Sequence, residues 1–325
     1  MNQNGHDIRQ KWELLTRAPH NPILTVADWP YAANSVFNPA AVRLQNGETL
    51  LLVRVEDRRG LSHLSAVRSA DGVSNWRIDP EPALAPRSPK HPEELWGVED
   101  PRVVWIPELQ RYAVTYTAYS GGGPGVSLAL TADFKEFERY GMVMPPEDKD
   151  AALFPRRFGG HWAMIHRPVP VSGTAHMWIS FSPDLRHWGS HKVLMPAREG
   201  GWWDARKIGL NSPPIETPQG WLIIYHGVRH TAAGCLYRLG IALLDLEDPT
   251  KIIYRGDEWI FGPLADYERT GDVADVVFPC GAVLDEDGDT LRVYYGGADT
   301  SISMATASVK ELLDWLKRHH YAGTA

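Results

Sequence analysis

The feature that most constrains this chain is a recurring group of short alternating strands closed by turns. AVRLQNGETLLLVRVED reads as a strand, an Asn-Gly turn and a second strand, and HLSAVRSADGVSNWRID adds a strand of alternating small and larger residues. The plan returns in PRVVWIPELQRYAVTYTAY with VSLALTADFKEFERYG, and in ALFPRRFGGHWAMIHRP with HMWISFSPDLRHWGSH. It returns again in PPIETPQGWLIIYHGV with YRLGIALLDLEDPTKIIYRG, and in GAVLDEDGDTLRVYYGGAD with SISMATASVKELL. About five units of roughly 50–65 residues result, a period typical of propeller blades. Second strands end in polar or aromatic clusters (VRVED, TYTAY, IHRP, YHGV, YYGG). Third strands carry Ser or Ala at alternate positions, and small residues on a buried strand let neighbouring sheets approach closely.

The expected fold is therefore all-β, a five-bladed β-propeller forming a single catalytic domain over residues 1–325. A two-sheet sandwich is the alternative, but five similar units are hard to place in one. Helical spacing is confined to the ends, in IRQKWELL and SVKELLDWLKRHH. It predicts an N-terminal helical extension over 1–20 and a C-terminal helix and tail over 308–325. These helices are expected to pack outside the propeller or on a neighbouring subunit, which would make a homo-oligomer.

A formal net charge of -7 argues against a general nucleic-acid binder, which carries a basic excess. The N-terminus has no basic start followed by an apolar core, and no apolar run is long enough to span a bilayer. A cytoplasmic location without a membrane partner is the default expectation. Cys235 and Cys280 are too few for a disulfide framework, and both are read as buried small apolar residues. The only two histidines close together on one element are His319 and His320 in the tail, so no metal site is expected. GGGPGV neither follows a strand nor opens a helix as a nucleotide loop would.

In a propeller the first strands line a central channel, so polar residues near their starts, and near the ends of second strands, converge from distant parts of the chain. The candidates are Asn38, Arg54, Glu56 and Asp57, then Glu99, Asp100 and Arg102 in WGVEDPRVVW. Lys149, Asp150, Arg156, His166 and Arg167 follow, then Asp204, Arg206, Lys207, Asn211, His226 and Tyr237, and finally Asp275 and Asp299. Each also has an ordinary reading. Asp100 before a proline caps turns as readily as it catalyses, Asp299 and Asn38 suit a turn and a strand start, and Glu99 suits a structural bond to a backbone N–H or to Arg102. Isolated arginines and lysines are usually solvated or salt-bridged, and lone histidines are usually satisfied in a core.

Taken together the set is rich in Arg, Lys and His around one carboxylate. A glycosidase needs two carboxylates, whereas Arg forks and a compact Lys charge suit a dianionic oxygen ligand. If phosphate is the attacking group, one acid completes an inverting displacement.

FNPA, WGVEDPR, the FPRR and IHRP pair, ARKIG, YHGV followed by YRLG, VFPCG and YYGGAD occur in that order. With them the chain, from about Asn21 onward, resembles the β-mannoside phosphorylases of glycoside hydrolase family 130, which are five-bladed propellers. The resemblance implies that Asp100 is the general acid, passing its proton through the sugar's 3-hydroxyl. It implies that Arg156, Arg167, Lys207, His226 and Tyr237 surround inorganic phosphate. Asn38, Arg54, His166 and Asp299 would hold the mannosyl unit, with Glu99 beside them. The implied reaction is reversible phosphorolysis of β-1,4- or β-1,2-linked mannosides to α-mannose 1-phosphate, with phosphate as co-substrate and no cofactor. The rivals are an inverting β-mannosidase on the same fold, a non-catalytic carbohydrate-binding propeller, and a furanosidase-type propeller, against which Asn38 counts because such an enzyme wants an Asp base there.

Overall fold

Alternating strands joined by tight turns satisfy their backbone groups only by pairing with neighbours. In this computed structural model, which describes residues 12–87, 89–232 and 234–320, they do so as successive antiparallel meanders. After β1 (Thr16–Arg17) the first meander comprises β2 (Ser35–Arg43), β3 (Thr49–Glu56), β4 (Ser62–Ser69) and β5 (Arg77–Ile78). The second comprises β6 (Gly97–Ile106), β7 (Arg111–Ser120), β8 (Gly123–Thr131) and β9 (Phe137–Met144). A single parallel pair, Ser62 with Gly97, joins these two into one eight-stranded sheet. The third has β10 (Asp148–Phe158), β11 (His161–Pro168), β12 (Met177–Ser182) and β13 (Gly189–Met195).

The fourth sheet runs β14 (Lys207–Leu210), β16 (Gly220–Thr231), β17 (Gly234–Leu244) and β18 (Ile252–Arg255), with β15 (Ile215–Thr217) also paired to β16. A short helix, α1 (Asp266–Arg269), precedes β19 (Val277–Leu284), β20 (Thr290–Gly297) and β21 (Ser301–Ser308), and α2 (Val309–Arg318) follows. The last sheet is completed by β1 from the other end of the chain, with Thr16 opposite Thr306. The first strands lie beside one another in turn, β2 with β6, β6 with β10 and β10 with β14, and β19 returns to β2. Just past β14, the Asn211 amide donates to the Pro279 carbonyl of β19 at 2.9 Å.

The apolar faces interleave between sheets. Phe154, Ile165, Trp221 and Tyr225 pack between the third and fourth. Ile224, Leu239, Ile241, Val277 and Val293 pack between the fourth and fifth, and α2 adds Leu312, Leu313 and Leu316 to that cluster. Helix α2 is capped by the Ser308 hydroxyl, which accepts the Glu311 N–H, and Lys317 and Arg318 stand at its carbonyl end. Among the described residues no helix is long and apolar enough to cross a membrane.

Three features differ from expectation. Residues 1–11 of the predicted N-terminal helix lie outside the described residues, and the chain just beyond enters a sheet as β1 because its backbone pairs with β21. Helix α1 was not anticipated; four residues are too few to show a helical period. Cys280 is buried as expected, but Cys235 is exposed near the β16–β17 turn.

One distortion recurs in the first strands. Asn38, Asp100 and Asp150 have φ of 47°, 46° and 55°. Each coincides with a register shift, between Phe37 and Ala40, Glu99 and Arg102, and Lys149 and Ala152. Such a bulge carries one extra residue, and Asn and Asp tolerate the left-handed conformation better than other non-glycine residues. The bulge re-aims that side chain while the strand continues.

Candidate active site

The three bulged residues meet at one cavity of about 200 Å³, lined also by Arg54, Lys149, Arg167, Lys207, His226, Tyr237 and Asp299. Val273, Val276 and Phe278 close its apolar side. Arg54 reaches it from the end of β3, Lys207 from the start of β14, and His226 and Tyr237 from the β16–β17 hairpin. Lys149 and Arg167 are directly opposite each other in the β10–β11 ladder.

Asp100 is buried, and its Oδ1 accepts from the Asn38 amide at 3.0 Å and from Arg54 Nη1 at 3.1 Å. Burial alone pushes its carboxyl up, but Arg54, the Asn38 amide, Lys149 and Arg102 outweigh it, leaving the group below the ordinary carboxylate range. Asp299 behaves oppositely. Burial, reinforced by the charge of Asp100, raises it to about 7 although Arg54 pulls it down. Two of the three carboxyls in the cavity are thus driven apart, Asp100 ionised and Asp299 half-protonated at neutral pH.

Arg102 lies beneath the cavity and ties two first strands together. It donates to the Asp100 carbonyl at 2.9 Å, the Leu210 carbonyl at 2.9 Å and the Asn211 carbonyl at 2.7 Å. Asp150 accepts from Arg167 Nε at 2.7 Å and lies 3.6 Å from His226 Nε2. Burial raises Asp150, and the charges of Arg167, Arg102 and Lys149 overcome it, so the carboxylate stays ionised. His226 is neutral: burial, helped by Arg167, Lys207 and Arg102, lowers it to about 3 against the pull of Asp150. Its buried Nδ1 has no hydrogen-bond partner among the described residues. Gly209 is required here, since a Cβ would sit 2.3 Å from Asp150 Oδ2 and 2.6 Å from His226 Cε1.

Arg54 is committed to Asp100, Glu99 and Glu56, and Arg167 to Asp150. Lys149 and Lys207 are not committed: neither pairs with a carboxylate among the described residues, although both line the cavity. Lys207 Nζ stands 5.3 Å from the centroid of the Tyr237 ring. Two unpaired lysines, a partly engaged arginine and a neutral imidazole form a place for an anion.

Of the eleven residues that the resemblance assigns to the site, eight come together in this cavity, namely Asn38, Arg54, Asp100, Arg167, Lys207, His226, Tyr237 and Asp299, and the candidates Lys149 and Asp150, left without a role, line it with them. Three of the eleven do not. Arg156 sits near the hairpin end of β10, bonded to the Leu246 carbonyl at 2.6 Å and to Glu247 at 3.0 Å. Seven residues of strand separate it from Lys149, roughly 20 Å at about 3.3 Å per residue. His166 precedes Arg167 and so points to the other side of β11. Its two ring nitrogens are taken by Asp148 at 2.6 Å and Ser180 at 2.7 Å. Glu99 does not line the cavity; it stands behind Arg54, accepting from Nη2 at 3.0 Å.

Lys149, Asp150 and Phe278 are the lining residues with functional chemistry that received no role from the sequence. KDAA repeats the start of FNPA and EDPR, a polar or acidic residue before a small or cyclic one, and that parallel was the available signal.

The sequence profile of glycoside hydrolase family 130, described as β-1,4-mannooligosaccharide phosphorylase, matches residues 14–318. The chain belongs to glycoside hydrolase family 130. It is 36% identical over 315 residues to a β-1,4-mannooligosaccharide phosphorylase of Ruminococcus albus, covering 94% of this chain and 92% of that protein. It is 40% identical over 258 residues to a β-1,2-mannobiose phosphorylase of Listeria innocua, covering 79% of this chain and 69% of that one. The structure of a Listeria innocua β-1,2-mannobiose phosphorylase in complex with β-1,2-mannobiose superposes with a TM-score of 0.84 at 32% identity, over 94% of this chain and 99% of that chain. A further family 130 structure, from work on glycoside hydrolases that target β-1,2 mannosidic linkages in Candida mannan, gives a TM-score of 0.80 at 26% identity over 92% and 95%. The family therefore holds both phosphorylases and hydrolases.

Proposed function

We propose that the protein is an inverting β-mannoside phosphorylase whose five meanders act as the blades of a propeller, with the reacting cavity at the end of its channel. The observation that carries this reading is the pair of unpaired lysines, Lys149 and Lys207, lining the same small cavity as the ionised Asp100. A hydrolase activates water with a carboxylate base and has no use for two free cations beside it. A phosphate dianion brings its own charge and its own attacking oxygen, and the lysines and Arg167 neutralise it.

In this reading the mannosyl ring sits against Asn38, Arg54 and Asp299, with phosphate held by Lys149, Arg167, Lys207, Tyr237 and the neutral His226. A phosphate oxygen attacks C1 from the face opposite the leaving group, the C1–O bond breaks, and the leaving oxygen takes a proton by way of Asp100. The proton balances: the one gained by the leaving alcohol equals the one hydrogen phosphate gives up on becoming an ester. Asp100 is ionised in the free protein, so it must gain its proton as substrates bind. A bound dianion cancels the field of Lys149 and Arg102 and raises the proton affinity of a nearby carboxylate. Asp299, half-protonated at neutral pH, is the neighbouring acid from which that proton is available, and the proton that hydrogen phosphate gives up restores it.

The test is the product formed from β-1,2- and β-1,4-mannobiose in phosphate buffer, followed by proton and phosphorus NMR. The α-anomer of mannose 1-phosphate should appear first from one of the two. Free mannose alone from both would establish a hydrolase.

A further inference from the structure

A second cavity lies near the site. It measures about 660 Å³, within the range of about 300–1,000 Å³ usual for ligand pockets, and shares no residue with the reacting cavity. Four tryptophans line it, Trp12, Trp202, Trp203 and Trp259. It lies behind the β16–β17 hairpin. His226 and Tyr237 line the reacting cavity, whereas Gly227 and Gly240 lie on the hairpin's other side, where Trp203 packs so closely that a Cβ on either would touch its ring at 2.5 Å. The loop carrying Trp202 and Trp203 runs directly into Lys207, so the two cavities are neighbours on either side of one strand pair.

Its polar groups are unspent. Arg229 and Glu258 are exposed, form no ion pair among the described residues and face the same space. Asp257 joins them, and its buried Oδ1 has no hydrogen-bond partner among the described residues. Two carboxylates and one guanidinium line the cavity itself, so it offers no cluster of cations aimed at a phosphate. Trp202 and Trp259 each carry a guanidinium against one face, Arg198 at 4.4 Å and Arg238 at 5.1 Å, and Trp203 is stacked on Tyr225; the tryptophan surface that remains, with separate acceptors and a donor, suits a neutral polyol, whose C–H faces stack on rings while its hydroxyls bond at the edge. The core of a protein–protein contact would instead be depleted of carboxylates.

We infer that this tryptophan-lined cavity binds a second stretch of β-mannooligosaccharide, apart from the sugar unit undergoing cleavage. The class of ligand rests on the function proposed above. The reacting cavity, at about 200 Å³, is too small to take in an oligosaccharide, so a long substrate must find its remaining contacts outside it.

The test is calorimetric titration of β-1,4- and β-1,2-mannohexaose into the full-length protein without phosphate. Wild type, Trp259→Ala and Glu258→Ala are compared, with thermal melting and light scattering on each; Glu258 is exposed, so its variant guards against loss of folding. At least one hexaose should bind the wild type, at least tenfold more weakly Trp259→Ala and at least threefold more weakly Glu258→Ala, at unchanged molecular mass. Affinities within twofold in both variants, no binding of either hexaose to wild type, or a fall in mass in Trp259→Ala, which would make the cavity an interface between copies, would each overturn the inference. Hexaose binding lost in Trp259→Ala, in a protein whose wild type makes no mannose 1-phosphate, would uphold this site and refute the phosphorylase reading instead.

Discussion

The Asn38 side-chain amide donates to Asp100 Oδ1 at 3.0 Å, and both residues occupy left-handed bulges in adjacent first strands. The bond spans two meanders, so the two distortions support each other. It is also one of the forces that keep Asp100 ionised, after Arg54 and against its burial.

Asp100→Asn should keep the fold, because Asn tolerates the same backbone and can still meet Arg54 through its carbonyl. It should lose turnover by a factor on the order of 10²–10⁴, the usual contribution of general acid catalysis. Circular dichroism with an initial-rate assay checks this, and near-normal turnover would remove Asp100 from the reaction.

Lys207 and Arg156 should separate cleanly. Lys207→Ala should raise the KM for phosphate at least tenfold with a smaller change in the KM for mannoside. Arg156→Ala should leave the phosphate KM within twofold, because that guanidinium is bonded to Leu246 and Glu247 at the far end of β10. A large phosphate effect at Arg156 would contradict the geometry.

Gly209→Ala tests the base of the cradle. The added Cβ meets Asp150 Oδ2 at 2.3 Å and His226 Cε1 at 2.6 Å, and both belong to buried groups without room to retreat. Overpacking of this kind costs about 1–3 kcal/mol. A lower urea midpoint together with weaker phosphate use is expected, and an unperturbed protein would mean the contact is not tight.

The pH dependence of stability should carry the sign of Asp299. Its folded value, about 7, lies above the ordinary carboxyl value of 3.8, so the folded state holds a proton that the unfolded chain has released. Its contribution is complete below about pH 4 and is lost as pH rises to about 7. His226 has the opposite slope, since its folded value of about 3 lies below 6.5 and stability grows as pH rises through that window. Urea unfolding of wild type and Asp299→Asn isolates the first term: the variant should gain stability relative to wild type between pH 4 and 7. A constant difference across that range would mean that Asp299 titrates normally.

Much of this arrangement was legible in the chain because the strand repeat is long-range periodic and the polar residues at strand starts sit at repeated places. EDPR, KIG and YHG brought Asp100, Lys207 and His226 to one cavity from three meanders. Where the structure places a residue away from this cavity, the reasons are local. FPRR reads like a phosphate grip, but where Arg156 falls along β10 decides which end of the sheet it serves, and strand length is not readable from composition. His166 and Arg167 are neighbours in sequence and face opposite ways, so only one could reach the cavity. The lowered value of His226, which makes it a neutral partner instead of a cation, depends on burial among three cations contributed by other strands.

The most direct test measures mannose 1-phosphate and free mannose from a β-mannobiose as phosphate is varied down to zero, in wild type and in Lys149→Ala/Lys207→Ala. Wild-type cleavage should vanish without phosphate and saturate with it, yielding sugar phosphate, and the double variant should need far more phosphate for the same rate. Cleavage that persists at zero phosphate and releases free mannose, equally in both proteins, would contradict the account.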